Sequence, residues 1–268
     1  MDEGKLEKLN NISAEIRKDI LRMAGVARSG PLRASLSTAN LLVYLYWEEM
    51  LFVPDEPLRE DRDRFMTDIP EAVPALYAVL ARRGFFEREH LWHYKRLGAA
   101  LQALPDFRRV PGVDAPCAAV RPQIAMAGVL ARELFYEKNS SRVIFLTEEK
   151  NLLCDEFAED LKRSAGKYTP NLLAAVLQNS SADAGKNVLQ ETLVSLGWDV
   201  RSAAFSDFAS LEEAFVSFDF NSGAPKALIA LQPDSASVRR NGALSSDSLS
   251  MDELDMALEE LEEKTIEA

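Results

Sequence analysis

Residues able to do chemistry are scarce in this chain and sit in a few short stretches. Only two histidines occur, His90 and His93 in EHLWHYKRL. Their i, i+3 spacing on one helix would bring both rings to a single face, the start of a metal site. No third Cys or His lies nearby to complete it, so the pair reads as ordinary helix surface. A mechanism needing several convergent imidazoles is thereby excluded. A second stretch, SGPLRASLS at residues 29–37, reads as a loop feeding a helix, a natural place to hold an anion. Yet Pro31, Leu32 and Arg33 stand where such a loop would want small or polar residues. A third, TEEKN, sets Glu148, Glu149 and Lys150 directly after an apolar run. Arg33, Arg121 and Lys150 are the cations that could meet an anionic ligand at these places.

The elements around these residues follow from hydrophobic spacing. Leu6, Leu9, Ile12, Ile16, Ile20 and Met23 recur every three or four residues and predict a helix over 5–28. SLSTANLLVYLYWEEMLF predicts a second, buried helix, with Ser35 or Ser37 available as its N-cap. FVPDEPLREDRDRF reads as a polar connection, and VPALYAVLARRGFF as a helix ended by Gly84. HLWHYKRLGAALQ reads as another helix, and PQIAMAGVLARELFYEK as an Ala-rich one. RVIFLT is the first good strand. NLLAAVLQN, a segment around Val200 and PKALIALQ follow as strands, separated by helices. Strands alternating with helices imply βαβ crossovers, hence an α/β fold with a mostly parallel sheet and helices on both faces. In such sheets ligands bind beyond the carboxyl ends of the strands, which points to TEEKN, QNSSADAGKN and QPDSASVRRNG.

Composition narrows the functional classes. The 268 residues suit one domain, with 47% hydrophobic and 28% charged residues and no composition break, repeat or low-complexity tract. The net charge of −12 argues against nucleic acid and against an anionic membrane as partners. Cys117 and Cys154 form no CxxC pair, the N-terminus has no secretory apolar core, and no run approaches the roughly 18 apolar residues of a membrane span. A cytoplasmic protein is expected. MDELDMALEELEEKTIEA, with eight carboxylates against one lysine, reads as a terminal amphipathic helix with a solvated acidic face.

In order along the chain, IRKDILRMAGVARSG, SLSTANLLVYLYWEEM, DRDRF, PALYAVLARRGFF, PGVD, NLLAAV and GWDV resemble the N-terminal, thiamine-diphosphate-binding half of transketolase. In some organisms that half is a separate polypeptide. The resemblance implies the thiamine-diphosphate-binding fold. It also implies that the ligand-contacting positions have changed. The family's His-Pro-Gly-Gly is here Pro31, Leu32, Arg33 and Ala34, and its Ser-Lys-Gly-His is Asp68, Ile69, Pro70 and Glu71. The Gly-Ser-Leu-Gly-Gln-Gly loop corresponds to Ala118 through Gln123, including Arg121 and Pro122. Gly-Asp-Gly-Glu, whose Asp ligates Mg²⁺, corresponds to Glu148, Glu149, Lys150 and Asn151. The second metal ligand, an Asn, is retained as Asn179, while three family histidines become Ser206, Leu231 and Asn241.

These replacements oppose cofactor binding on physical grounds. Mg²⁺ needs near-octahedral oxygens at about 2.0–2.1 Å, and Glu149 is one methylene too long for an Asp position. Glu149 with Asn179 would make a weak metal site at best. Backbone approaching a diphosphate needs glycine, because a Cβ blocks the contact. Carboxylates facing a diphosphate repel it by roughly 1–4 kcal/mol per close pair. Lys150 would instead pair with a neighbouring carboxylate. No cofactor or metal is therefore expected, and no catalytic residue. The chain reads as a non-catalytic transketolase-like subunit that assembles as a homodimer, with a C-terminal transketolase-like chain, or both. The alternatives are a working half of a split transketolase that uses thiamine diphosphate and Mg²⁺ through atypical contacts, and a module that binds another anion.

Overall fold

A computed structural model describes residues 1–28, 30–117, 123–153, 158–164, 169–179, 183–232 and 254–259. Helix α1 runs Glu3–Ala27, with the Asp2 side chain accepting from Lys5 N at 2.8 Å and Arg28 closing the helix at φ 48°. Leu9, Ile16, Ile20 and Met23 lie on its buried side, each worth about 1.5–3 kcal/mol relative to exposure. Helix α2 spans Leu32–Tyr44 and continues through one wider turn, Leu45–Glu49, closed by Met50 N donating to Leu45 O at 2.8 Å. Its N-cap is Pro31, without side-chain capping. The predicted caps do other work: Ser35 Oγ donates to the Glu71 carbonyl and Ser37 Oγ to the Ala34 carbonyl. Helix α3 is Val73–Arg82, and Gly84 beyond it sits at φ +87° as the left-handed terminator its position predicts.

Among the described residues, five parallel strands form one sheet in the order β1-β2-β3-β5-β4. They are β1 Arg64–Thr67, β2 Val143–Glu148, β3 Leu172–Asn179, β4 Asp199–Ala204 and β5 Lys226–Gln232. Between them lie α4 Gln123–Tyr136, α5 Glu149–Leu152, α6 Ala158–Ser164, α7 Asp183–Ser195 and α8 Phe208–Val216. Alternate strand residues feed two separate cores, as pleating requires. Ile144, Leu146, Leu173 and Leu228 pack with α1, α2, α3 and α8. Val143, Phe145, Leu172 and Ile229 pack with α4, α6 and α7. The expected doubly covered parallel sheet is what the chain builds.

Two expectations fail locally. At the end of the supposed polar connection, Arg64–Thr67 is an edge strand paired to Val143–Leu146. At four residues it is too short to carry periodicity, and its charged neighbours are there to clamp it. Arg62 Nη1 donates to Asp114 Oδ2 at 3.0 Å, and the same oxygen accepts from Phe65 N at 2.9 Å. Asp63 Oδ1 accepts from Arg142 N at 2.7 Å, tying the strand's entry to that of β2. DRDRF and PGVD are thus two halves of one fastening. The second failure is the helix predicted over HLWHYKRLGAALQ, which is a 3₁₀ turn at Arg88–His93 followed by tight turns. Lys95 at φ 60° and Gly98 at φ +81° interrupt helical propagation there. Among the described residues no helix is long and apolar enough to cross a membrane.

Candidate functional site

The carboxyl ends of β1, β2 and β3 lie side by side, so Asp68, Glu148 and Gln178 leave the sheet along one edge. Glu148 is the last residue of β2 and the N-cap of α5, at φ −105° and ψ 151°, and its side chain makes no capping bond. It forms an ion pair with Lys150. The lysine side chain is 74% exposed, which limits the pair to about 0–1 kcal/mol. Glu149 opens α5, and its Oε1 accepts from Gln178 Nε2 at 2.8 Å across the β2–β3 gap. Gln178 is buried, and its own Oε1 has no hydrogen-bond partner among the described residues.

Asp68 is the most perturbed carboxyl at this edge. It is 6% exposed, and burial is the main reason its pKa is pushed up to about 6. Nearby Glu148 pushes the same way, while the Thr147 hydroxyl, donating to Oδ2 at 3.1 Å, and the Asn151 side chain pull against it. Oδ1 closes no hydrogen bond of normal geometry among the described residues. The Cys117 thiol, also buried, is pushed up to about 12 by burial and then by Asp68 and Glu71. The Lys150 ammonium is held above its ordinary range, chiefly by its hydrogen bond to Glu148. The edge therefore carries several carboxyl groups, one exposed lysine and an inert thiol. No group of three or more His, Cys, Asp or Glu side chains suited to a metal occurs among the described residues.

Other sequence-predicted positions fall elsewhere. The loop before α2 is filled: Leu32 is 2% exposed, and Gly30, Pro31 and Leu32 line a small apolar crevice with Ile20, Ala24 and Tyr94. Arg33 is the second residue of α2, but its side chain lies outside the described residues, as does all of Arg121. Asn179 ends β3 opposite Gln232, with its side chain likewise outside them, and Asn241 is outside altogether. Ser206 is exposed and its carbonyl accepts from Asn40 Nδ2 at 2.7 Å, while Leu231 belongs to β5. His90 and His93 are exposed on the 3₁₀ turn, where His90 leans edge-on against Phe86 at 6.2 Å. Sequence reasoning missed Gln178 as the partner of Glu149 and Asp68 as a buried acid. The available signal was a glutamine in an otherwise apolar strand.

No protein-family model matches the chain. It is 24% identical over 233 residues to one subunit of the apulose-4-phosphate transketolase of Phocaeicola vulgatus, covering 84% of this chain and 83% of that one. It is 37% identical over 114 residues to the 6-deoxy-6-sulfo-D-fructose transketolase subunit SqwG of Clostridium sp. strain MSTE9, covering 42% and 41%. Against human transketolase it is 23% identical over 236 residues, spanning 85% of this chain but only 37% of the human one. In fold it is similar to the R525L mutant of Pichia stipitis transketolase, with TM-score 0.79, 18% identity and coverage of 94% of this chain and 40% of that one. The transketolase of Campylobacter jejuni gives TM-score 0.77 at 20% identity, over 100% and 43%. In sequence and in fold alike, the chain is similar to transketolases and their separate subunits, and its architecture is the α/β thiamine-diphosphate-binding fold.

Proposed function

We propose that this chain is a transketolase-like subunit that has lost the thiamine-diphosphate and Mg²⁺ site and serves as a non-catalytic assembly partner, for a second copy, a C-terminal transketolase-like chain, or both. One observation carries the reading. At the end of β2, where a diphosphate would need bare backbone and one free carboxylate, the chain starts α5 with Glu148 and Glu149, each with its side chain engaged. A metal bound through Glu149 Oε1 would compete with Gln178, and a diphosphate would face Glu148, Glu149 and the adjacent buried Asp68. The residues present do not fit the cofactor. Calorimetry tests this, with thiamine diphosphate and Mg²⁺ titrated into the chain alone and into its mixture with a C-terminal transketolase-like partner chain. No heat of binding is expected from either, and a saturable heat near one equivalent would overturn the reading.

A second reading, a working half of a split transketolase with atypical cofactor contacts, draws on one specific observation. Two relatives are named as transketolase subunits, and one of them matches this chain over most of its length. Ketol transfer by the mixed subunits, dependent on added thiamine diphosphate, would establish it over the first. In the third possibility, a site for another anion built on Arg33, Arg121 and Lys150, the anion would compete with Glu148 for Lys150. A thermal-shift screen of sugar phosphates and nucleotides addresses it, and flat responses retire it.

A further inference from the structure

Residues 95–109, KRLGAALQALPDFRR, carry four basic side chains against one acidic, in a chain whose net charge is −12. They also present three large apolar side chains to solvent: Leu97, 106% exposed, Leu104 and Phe107. This surface is held, not loose. Lys95 N donates to Leu101 O at 2.9 Å, Gln102 Nε2 to the Arg96 and Ala99 carbonyls at 2.9 Å each, and Tyr77 Oη to Gln102 O at 2.9 Å. Arg109 Nη2 donates to Gly98 O at 3.1 Å, fastening the Leu97 turn to the Phe107 turn. Tyr94, Leu101 and Val110 anchor the segment from below, all at 2% exposure or less. Arg108 lies over the Phe107 ring at 5.4 Å, so charge and apolar surface share one face.

We infer that this face is a docking surface for another polypeptide, and that its occupant is an acidic segment carrying two or three apolar side chains. Charge makes the choice. An acidic segment is repelled by most of this molecule and attracted here, which steers encounter and fixes position. Leu97 and Phe107 supply the apolar area that holds the segment once docked. Because internal hydrogen bonds already fix the turns, binding orders little of this side. The inference does not depend on whether the cofactor site is lost, so either can fail alone.

The test uses the full-length chain and a fluorescent 18-residue helical peptide of leucine and glutamate, with a lysine-for-glutamate peptide as its counterpart. Anisotropy should rise with the acidic peptide and not with the basic one, and affinity should fall more than tenfold at about 0.5 M salt. Paired variants Arg96→Glu with Arg108→Glu, and Leu97→Ser with Phe107→Ser, should each weaken binding at least tenfold. Circular dichroism and melting temperature report whether they remain folded, and Lys162→Glu, on α6, serves as a charge control without effect. The inference is overturned if the wild-type chain does not bind the acidic peptide, or if binding ignores both variant pairs. It is overturned equally if the same variants abolish self-association in sedimentation, which would make the occupant a second copy.

Discussion

At the scale of single residues, the edge of the sheet is defined by where its carboxyl groups find partners. Asp68 has a folded-state pKa raised to about 6 from an ordinary 3.8, because burial penalises its charged form. The folded state thus holds its proton more tightly than the unfolded one. Stability from this group is fully present below about pH 4 and is lost as pH rises through 6. Asp68→Asn should remove that loss, raising stability at pH 7 by about 1–3 kcal/mol and flattening the profile between pH 4 and 6. Urea melts of both proteins across that range check it, and parallel profiles would show that Asp68 titrates normally. Gln178→Leu should also be informative, since it removes the partner of Glu149 and a buried carbonyl that has none. A change of under about 1.5 kcal/mol is expected, because the two effects oppose one another. Glu148, Glu149 and Lys150 could be read directly from TEEKN as candidate positions at the end of a strand. The partners could not, since Gln178 reaches Glu149 only through the register that sets β3 beside β2.

At the scale of elements, two contacts set how the helices bear on the sheet. Asp19 on α1 is fully buried and accepts from Arg82 of α3 at 2.5 Å and from Arg88 Nε, on the 3₁₀ turn, at 3.1 Å. One carboxylate therefore joins three elements. Asp19→Ala should cost about 1–3 kcal/mol, because it takes a carboxylate partner from Arg82, which keeps Glu15, and from the partly exposed Arg88. Chemical denaturation reads this out, and a loss below about 1 kcal/mol would mean the network contributes nothing. Gly128 on α4 sits where a Cβ would come within 2.6 Å of Ser164 Oγ and 3.2 Å of its Cα, on α6. Gly128→Ala should therefore destabilise by about 1–3 kcal/mol despite the better helix propensity of alanine. A rise in melting temperature would show that the two helices can part freely. Neither contact was legible beforehand, for hydrophobic spacing locates a helix but not which small residue admits its neighbour. The same limit hid β1, whose four residues are recognisable only from the Arg62–Asp114 and Asp63–Arg142 clamps that hold it.

At the scale of the whole molecule, the scaffold and the ligand edge tell different stories. The parallel sheet and the order of elements are similar to about two fifths of each of two solved transketolases, at TM-scores of 0.79 and 0.77. Those features follow from patterning distributed over the chain, which is why the α/β class could be inferred from strand and helix alternation alone. The candidate edge depends on a handful of positions, and its pairing of Glu149 with Gln178 is set by strand register rather than by patterning. The proposed loss of the coenzyme site is tested most directly by equilibrium dialysis of radiolabelled thiamine diphosphate with Mg²⁺ against this chain paired with a C-terminal transketolase-like partner. Radioactivity equal on both sides of the membrane is the predicted result, and retention of about one coenzyme per pair would contradict it.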